Sequence, residues 1–454
     1  MSTPLRLSAA RLAFVMLAAL SARAALRPPL DPSRTWTFDD LLAAGRAGNA
    51  ALAQTRLDVE GLRWERLAAL GRLLPSLALS SGYSRFESMS FTGRDPLGRL
   101  IEISTGTYSN GTSSDIGLSL NQTLFAGQGN VAAFRRALLA QEDVRGADRQ
   151  QELQLRHDLM IAGHAVMAAA SKSGTELTLL DERRKQLELA QLRLQVGKGT
   201  ELDVLQMQLD VGRQEVSVES ADQELRGAWD RLSLLVGAAP GAPGRVDLPF
   251  SVYEPLWDEE ELISLALTRR ESLGAGRRGL EQARLQSQEA RATLLPTLSL
   301  QAGHMRREQL SGAQSWDPTP RGYSNSVSLS LSLPLFQGFS NLNGWQAGRI
   351  NQRRQQIVLE RQEQEVRTEI RQALLLLRSS WTLSRTTAAN LELAERSLAL
   401  ERERYQLGLS SLLQVQSAEA VWHQAESEDL AQRLAFRDRL ADLELAAGGS
   451  LPAR

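Results

Sequence analysis

Between Ser326 and Phe336 the chain reads SVSLSLSLPLF, with serine and an aliphatic residue alternating for most of its length. A period of two marks a strand that separates two environments, because successive side chains point to opposite sides. The pattern recurs three times in weaker form. Ile116, Leu118 and Leu120 alternate with Gly117, Ser119 and Asn121, and Leu77 and Leu79, like Leu298 and Leu300, do so more briefly. Strands are predicted at about residues 76–86, 115–125, 297–307 and 326–336. In a soluble sandwich their apolar face would meet a protein core. In a membrane barrel it would meet lipid, and the serines would line a wet interior.

Between the strands the chain is leucine-, alanine-, glutamine-, glutamate- and arginine-rich, a composition that favours helices. It is also written twice. LLPSLALSSG from Leu73 returns as LLPTLSLQAG from Leu294, and LFAGQGN from Leu124 as LFQGFSN from Leu335. RLQVGKGTELDV from Arg193 returns as RYQLGLSSLLQV from Arg404, and LSLLVG from Leu232 as LELAAG from Leu443. The last three pairs share one offset. The first is set further apart, so the segment joining the two strands is longer in the first copy, as surface loops tolerate.

Each copy therefore predicts helix, strand, strand, long helix and shorter helix. The first helices run from about Phe38 to Leu74 and Glu259 to Leu295, stopped by Pro75 and Pro296. Gly127 and Gly129, and then Gly338, mark the turn from the second strand into a long helix, about Asn130 to Val196 and Asn341 to Leu407. Leu180, Leu187 and Leu194 fall at heptad spacing, as do Leu391, Leu398 and Tyr405, which indicates coiled-coil-like packing. Glycines at 197, 199 and 408 break the long helices, and GAAPGAPG from Gly237 to Gly244 links the copies. The expected organisation is residues 25–240 for the first repeat, 241–448 for the second and 449–454 for a tail.

Ahead of the repeats, Arg6 and Arg11 precede the apolar run Leu12–Leu20 and the small-x-small sequence Ala22–Ala24. This reads as an export signal over residues 1–24, because the run falls short of the roughly 20 residues a spanning helix needs. With no cysteine there is neither disulfide nor thiolate site nor cysteine-linked lipid. A formal net charge of −1 gives no basic field for nucleic acid, so no nucleic-acid partner is expected.

Export and the lack of another sheet to pack against favour lipid as the partner of the leucine faces. Each strand has about the 9–11 residues that cross a bilayer when tilted. Tyr83, Phe86, Phe125, Tyr323 and Phe336 fall near strand ends, where interfacial aromatics belong. Leu118, Leu120, Leu329 and Leu331 are then lipid-facing, and Ser119, Asn121, Ser328 and Ser330 lumen-facing. Four strands cannot close a barrel, and open edges are not tolerated in hydrocarbon, so the chain must oligomerise.

The duplicated order, the LLPSL/LLPTL pair, the LF-x-G strand exits and the VG-x-G-T and LG-x-S-S turns resemble the TolC-like outer-membrane efflux proteins over essentially the whole mature chain. The resemblance implies a mainly α fold with β: a homotrimer whose twelve strands form a barrel in the outer-membrane lipid and whose helices form an α-barrel across the periplasm. It implies a passive conduit for tripartite efflux or type I secretion, docked on a periplasmic adaptor (membrane fusion) protein and an inner-membrane pump, with no cofactor. It makes the turns Val196–Asp203 and Leu407–Gln414 the periplasmic tips, where the duct closes and the adaptor engages. The tip set is Gly197, Gly199, Thr200, Asp203, Tyr405, Gly408, Ser411, Gln414 and Ser417. Asp203 matches the family's acidic position after the first tip, and Tyr405 a latching tyrosine before the second. Gln414 and Ser417 are neutral where well-known members carry aspartates, which puts a charged constriction in doubt.

No catalytic constellation accompanies these features, so no enzyme is expected. There is neither a phosphate-binding G-x-x-x-x-G-K-[ST] nor a nucleophile-elbow G-x-S-x-G, and His157 and His164 share a helix face without a third metal ligand nearby. Asp181–Lys185 reads as a solvated helix face. The competing class is an exported, soluble coiled-coil scaffold whose sheets mediate assembly.

Overall fold

The computed structural model describes residues 28–90, 93–94, 97, 100–101, 107–248, 250–311, 322–407 and 409–451. The export signal at 1–24, Gly408 and the last three residues of the tail lie outside the described residues. The first half runs β1 (Thr35–Thr37), α1 (Phe38–Gly48), α2 (Ala50–Gly71), β2 (Ser76–Ser90), the short β3 (Gly93–Arg94) and β4 (Leu100–Ile101), β5 (Thr107–Ala126), α3 (Gly129–Gln195) and α4 (Glu201–Val236). The second runs β6 (Arg245–Asp247), α5 (Glu259–Arg269), α6 (Glu271–Ala292), β7 (Thr297–Ser311), β8 (Gly322–Ser332), α7 (Ser340–Gln406) and α8 (Leu412–Ala446).

Two expectations from the pattern are corrected. The helix anticipated from Phe38 to Leu74 is two helices, because Asn49 adopts extended geometry between them. Its N–H closes α1 on the Gly45 carbonyl at 2.7 Å, and its Oδ1 accepts from Leu52 N–H at 3.1 Å to open α2. Arg270 makes the same break between α5 and α6. The fourth strand spans Gly322–Ser332 rather than 326–336. Its last pair is Ser332 with Thr297, next to Pro296, and Pro334 lies just beyond. Neither proline has an N–H to extend the ladder. The other strands continue past the alternating stretch towards the loop ends, because ladder pairs persist there between polar residues.

The chain packs as two units, and each repeat contributes to both. One unit takes residues up to Leu57, 146–274 and from 362 onward. Its core joins Leu41 and Leu42 of α1, Leu155 and Leu159 of α3, Trp229 and Leu232 of α4, and Leu248. Burial of each large side chain stabilises by roughly 1.5–3 kcal/mol. Parallel pairing of β1 with β6, Trp36 opposite Val246, ties the start of the first repeat to the linker that follows it.

The other unit, residues 58–145 and 275–361, holds an antiparallel sheet in the order β2-β5-β7-β8. The four strands meet helices at one end and the segments 91–106 and 312–321 at the other. Arg136 of α3 holds Glu289 of α6 through two bonds at 3.0 and 3.1 Å beneath the sheet's helical end.

Candidate functional site

The sheet register sorts the strand residues into two faces, because directly opposed residues in an antiparallel ladder project to the same side. Leu118 lies between Leu79 and His304, and Leu120 between Leu77 and Ala302. Leu329 opposes Leu300, and Leu331 opposes Leu298. Ser119, Asn121, Ser328 and Ser330 fall on the opposite side, facing Ala78, Ser76, Gln301 and Ser299 respectively. On the leucine face Leu79 is 72%, Leu329 64% and Leu331 70% exposed. Among the described residues nothing covers it, and β2 and β8 are open edges.

Glycines mark the two helix turns in the sequence, and main-chain and capping bonds shape them in the structure. At the first, Gly197 takes a left-handed φ of 72°, Lys198 N–H reaches back to the Arg193 carbonyl at 2.8 Å and Gly197 N–H to Leu194 at 3.0 Å. This is a Schellman stop. Helix α4 then starts with a reciprocal cap: Thr200 Oγ1 accepts from Asp203 N–H at 3.2 Å, and Asp203 Oδ2 accepts from Thr200 N–H at 3.0 Å. The Thr200 N–H and hydroxyl hold the Asp203 carboxyl below its usual range. Gly199 packs close, with an added Cβ meeting Arg193 at 3.1 Å.

The second turn has the same backward main-chain bond and the same kind of reciprocal cap. Leu409 N–H reaches the Arg404 carbonyl at 2.8 Å. Ser411 Oγ accepts from Gln414 N–H at 3.4 Å, and Gln414 Oε1 accepts from Ser411 N–H at 2.9 Å. Gln414 and Ser417 are both exposed. Glu401 binds Arg404 at 2.8 Å and the Ser410 hydroxyl at 2.7 Å. Tyr405 is 41% exposed, and its hydroxyl has no hydrogen-bond partner among the described residues. The heptad loosens towards both turns: Leu180 is 7% exposed and Leu194 39%, Leu398 5% and Tyr405 41%. A cavity of about 410 Å³ lies beside the first turn, lined by Lys185, Arg193, Lys198 and Asp203 together with Gln416 of α8.

Both caps have a sequence signature that glycine spacing does not reveal: Thr200-x-x-Asp203 and Ser411-x-x-Gln414 carry Ser/Thr at the N-cap and an acceptor at N3. The spacing of His157 and His164 along their helix names no partner for either. Both meet α8: His157 Nε2 lies 2.8 Å from Asp442 Oδ1, and His164 Nδ1 2.6 Å from Asp438 Oδ1.

The model of the outer membrane efflux protein family matches the chain twice, over residues 41–238 and 262–449. The chain belongs to that family. It is an outer-membrane channel protein with a periplasmic helical domain, and the soluble scaffold is set aside. The chain is 25% identical over 399 residues to protein CyaE of Bordetella pertussis, covering 83% of this chain and 82% of that one. It is 27% identical over 424 residues to the pyoverdine export outer membrane protein OpmQ of Pseudomonas aeruginosa, covering 91% and 85%. In fold, this efflux protein is similar to the CmeC outer membrane channel of Campylobacter jejuni, with a TM-score of 0.74, 16% identity and coverage of 91% and 85%. It is also similar to VceC of Vibrio cholerae, with a TM-score of 0.71, 18% identity and coverage of 91% and 96%.

Proposed function

We propose that three copies of this outer membrane efflux protein join their open sheet edges into one closed barrel, making a passive conduit from periplasm to exterior for tripartite efflux or type I secretion. The observation that carries the reading is the sheet itself: four strands, two open edges and one uncovered leucine face. Such a sheet is stable in hydrocarbon only when its edges are closed and its polar face encloses water. The leucines named above meet lipid, and the serines and Asn121 line the lumen. The two capped turns are the periplasmic tips, where the conduit is gated and an adaptor protein docks, with an inner-membrane pump supplying the energy. The chain carries out no catalysis.

The glycine stop at the first turn and the reciprocal cap at each turn support the gating role, since they fix where the helices end or begin while leaving a short pivot between them. The test is direct. Unheated purified protein is expected to migrate as a trimer and to conduct ions across a planar bilayer. A monomer that needs no detergent and carries no current would overturn the proposal.

A further inference from the structure

On β7 and β8 the leucine face gives way to polar residues toward one end of the strands. Its rows run from Leu331 and Leu298 through Leu329 and Leu300 to Val327 and Ala302. At the next row outward β7 and β8 present His304 and Asn325, and one row further Arg306 and Tyr323. On β5 the same rows stay apolar, with Leu118 beside His304 and Ile116 beside Arg306, and on β2 beyond them stand Leu79 and Ser81. The polar group is thus a notch cut into the apolar band, placed toward the strand ends that carry the 312–321 segment.

Within the notch two side chains pair and a third stacks on them. His304 Nδ1 lies 2.6 Å from Asn325 Oδ1, and the imidazole stacks on Tyr323 with centroids 6.3 Å apart. Arg306 is different. It is exposed and has no ion-pair partner among the described residues. Glu308 stands one row further out, opposite Ser114. Arg307 belongs to the other face, opposite Asp115.

A guanidinium with no ion-pair partner among the described residues, set at the border of hydrocarbon and water, attracts an anion, and a planar fork of N–H donors matches a phosphate best. We propose that His304, Arg306, Tyr323 and Asn325 form a binding notch for the phosphate of an outer-leaflet lipid headgroup. Arg306 grips the phosphate, the aromatic rings sit at headgroup depth, and Leu118, Leu79 and Ile116 receive the acyl chain beside it. This rests on the lipid-facing assignment of the leucine face.

The test reconstitutes the full-length protein in phosphatidylethanolamine vesicles containing diphosphorylated lipid A. Lipid that stays bound through detergent extraction is then counted by native mass spectrometry. R306Q is expected to retain roughly tenfold less lipid A than the unmodified protein, the size of one charge-assisted hydrogen bond. R307Q should retain the normal amount, and dephosphorylated lipid A should not distinguish the three proteins. Conductance, measured on the same samples, should be unchanged. Equal retention by R306Q and the unmodified protein overturns the inference while leaving the channel reading intact. So does an equal loss in R307Q. If Arg306 is instead neutralised by Glu308, E308Q and R306Q will destabilise the protein alike and neither will alter retention, which also overturns it. Protein that enters no vesicle and carries no current overturns the channel reading as well.

Discussion

His157 on α3 and Asp442 on α8 lie 2.8 Å apart, joining the long helix of the first repeat to the last helix of the second. The imidazole also approaches Asp158 at 3.0 Å, and Asp442 receives Arg439 at 3.0 Å. His157 is only 14% exposed at its side chain, so the pair is partly shielded from solvent.

The bond with Asp442 raises the His157 pKa from 6.5, and the same bond lowers that of Asp442 from 3.8. For the raised histidine, the stabilisation is complete below pH 6.5 and is lost as pH climbs through the higher folded value. For the depressed aspartate it is present above pH 3.8 and is lost as pH falls through the lower folded value. The contact is therefore strongest between these limits. D442N is expected to destabilise the protein by about 1 kcal/mol near pH 6, and by less as the pH rises. Thermal melts of both proteins across that range measure the narrowing gap, and a gap independent of pH would contradict it.

The two faces of the sheet should respond oppositely to charge. Asp or Lys at Leu329 or Leu331 is expected to block membrane assembly, at a cost of roughly 2–4 kcal/mol near the bilayer midplane. Leu300 and Leu298 oppose these positions, so a charge there also faces an apolar neighbour. The same substitutions at Ser328 and Ser330 should leave an intact, heat-modifiable trimer on unheated gels. Equal behaviour of the two sets would reverse the facing assignment.

The sheet was legible in the sequence to the extent that its faces differ in polarity. Leu329 and Ser330 announce a strand, whereas the outer stretches of β5 and β7 are polar on both sides and give no alternation. Helix type and length were legible, but the breaks at Asn49 and Arg270 depend on local capping rather than periodicity. Asp203 stands out in the sequence as a match to the family's acidic position, and its carboxylate caps its own helix. His157 and Asp442 stand 285 positions apart, and no periodicity along a helix says which other helix it will meet.

The caps at the two helix turns set how firmly each turn holds its shape. Ser411→Ala removes the side-chain acceptor of Gln414 N–H and should cost about 1 kcal/mol locally. Thr200→Ala does the same at the first turn, where Asp203 N–H loses its partner. The double variant is expected to assemble normally and to show a higher open probability in planar bilayers. An unchanged open probability in a variant whose tip helices are measurably frayed by hydrogen exchange would separate the caps from gating.

The strand-to-helix elbows give a test that uses the duplication as its own control. Gly127 and Gly338 hold corresponding positions with φ of 55° and 60°, and each is followed by a non-glycine residue at positive φ, Gln128 and Phe339. Their surroundings differ. A Cβ on Gly127 would sit 2.8 Å from the Leu295 Cβ and 2.9 Å from the Ala292 carbonyl, whereas one on Gly338 meets nothing within 4 Å. Gly338→Ala therefore carries only left-handed backbone strain, about 1–2 kcal/mol. Gly127→Ala adds a collision with the end of α6, including its backbone, which flexible side chains cannot relieve, and should cost about 3 kcal/mol or more. The yield of folded trimer is expected to fall sharply for the first-repeat variant and little for the second. Equal yields would mean that the elbow of the first repeat can open without disturbing α6.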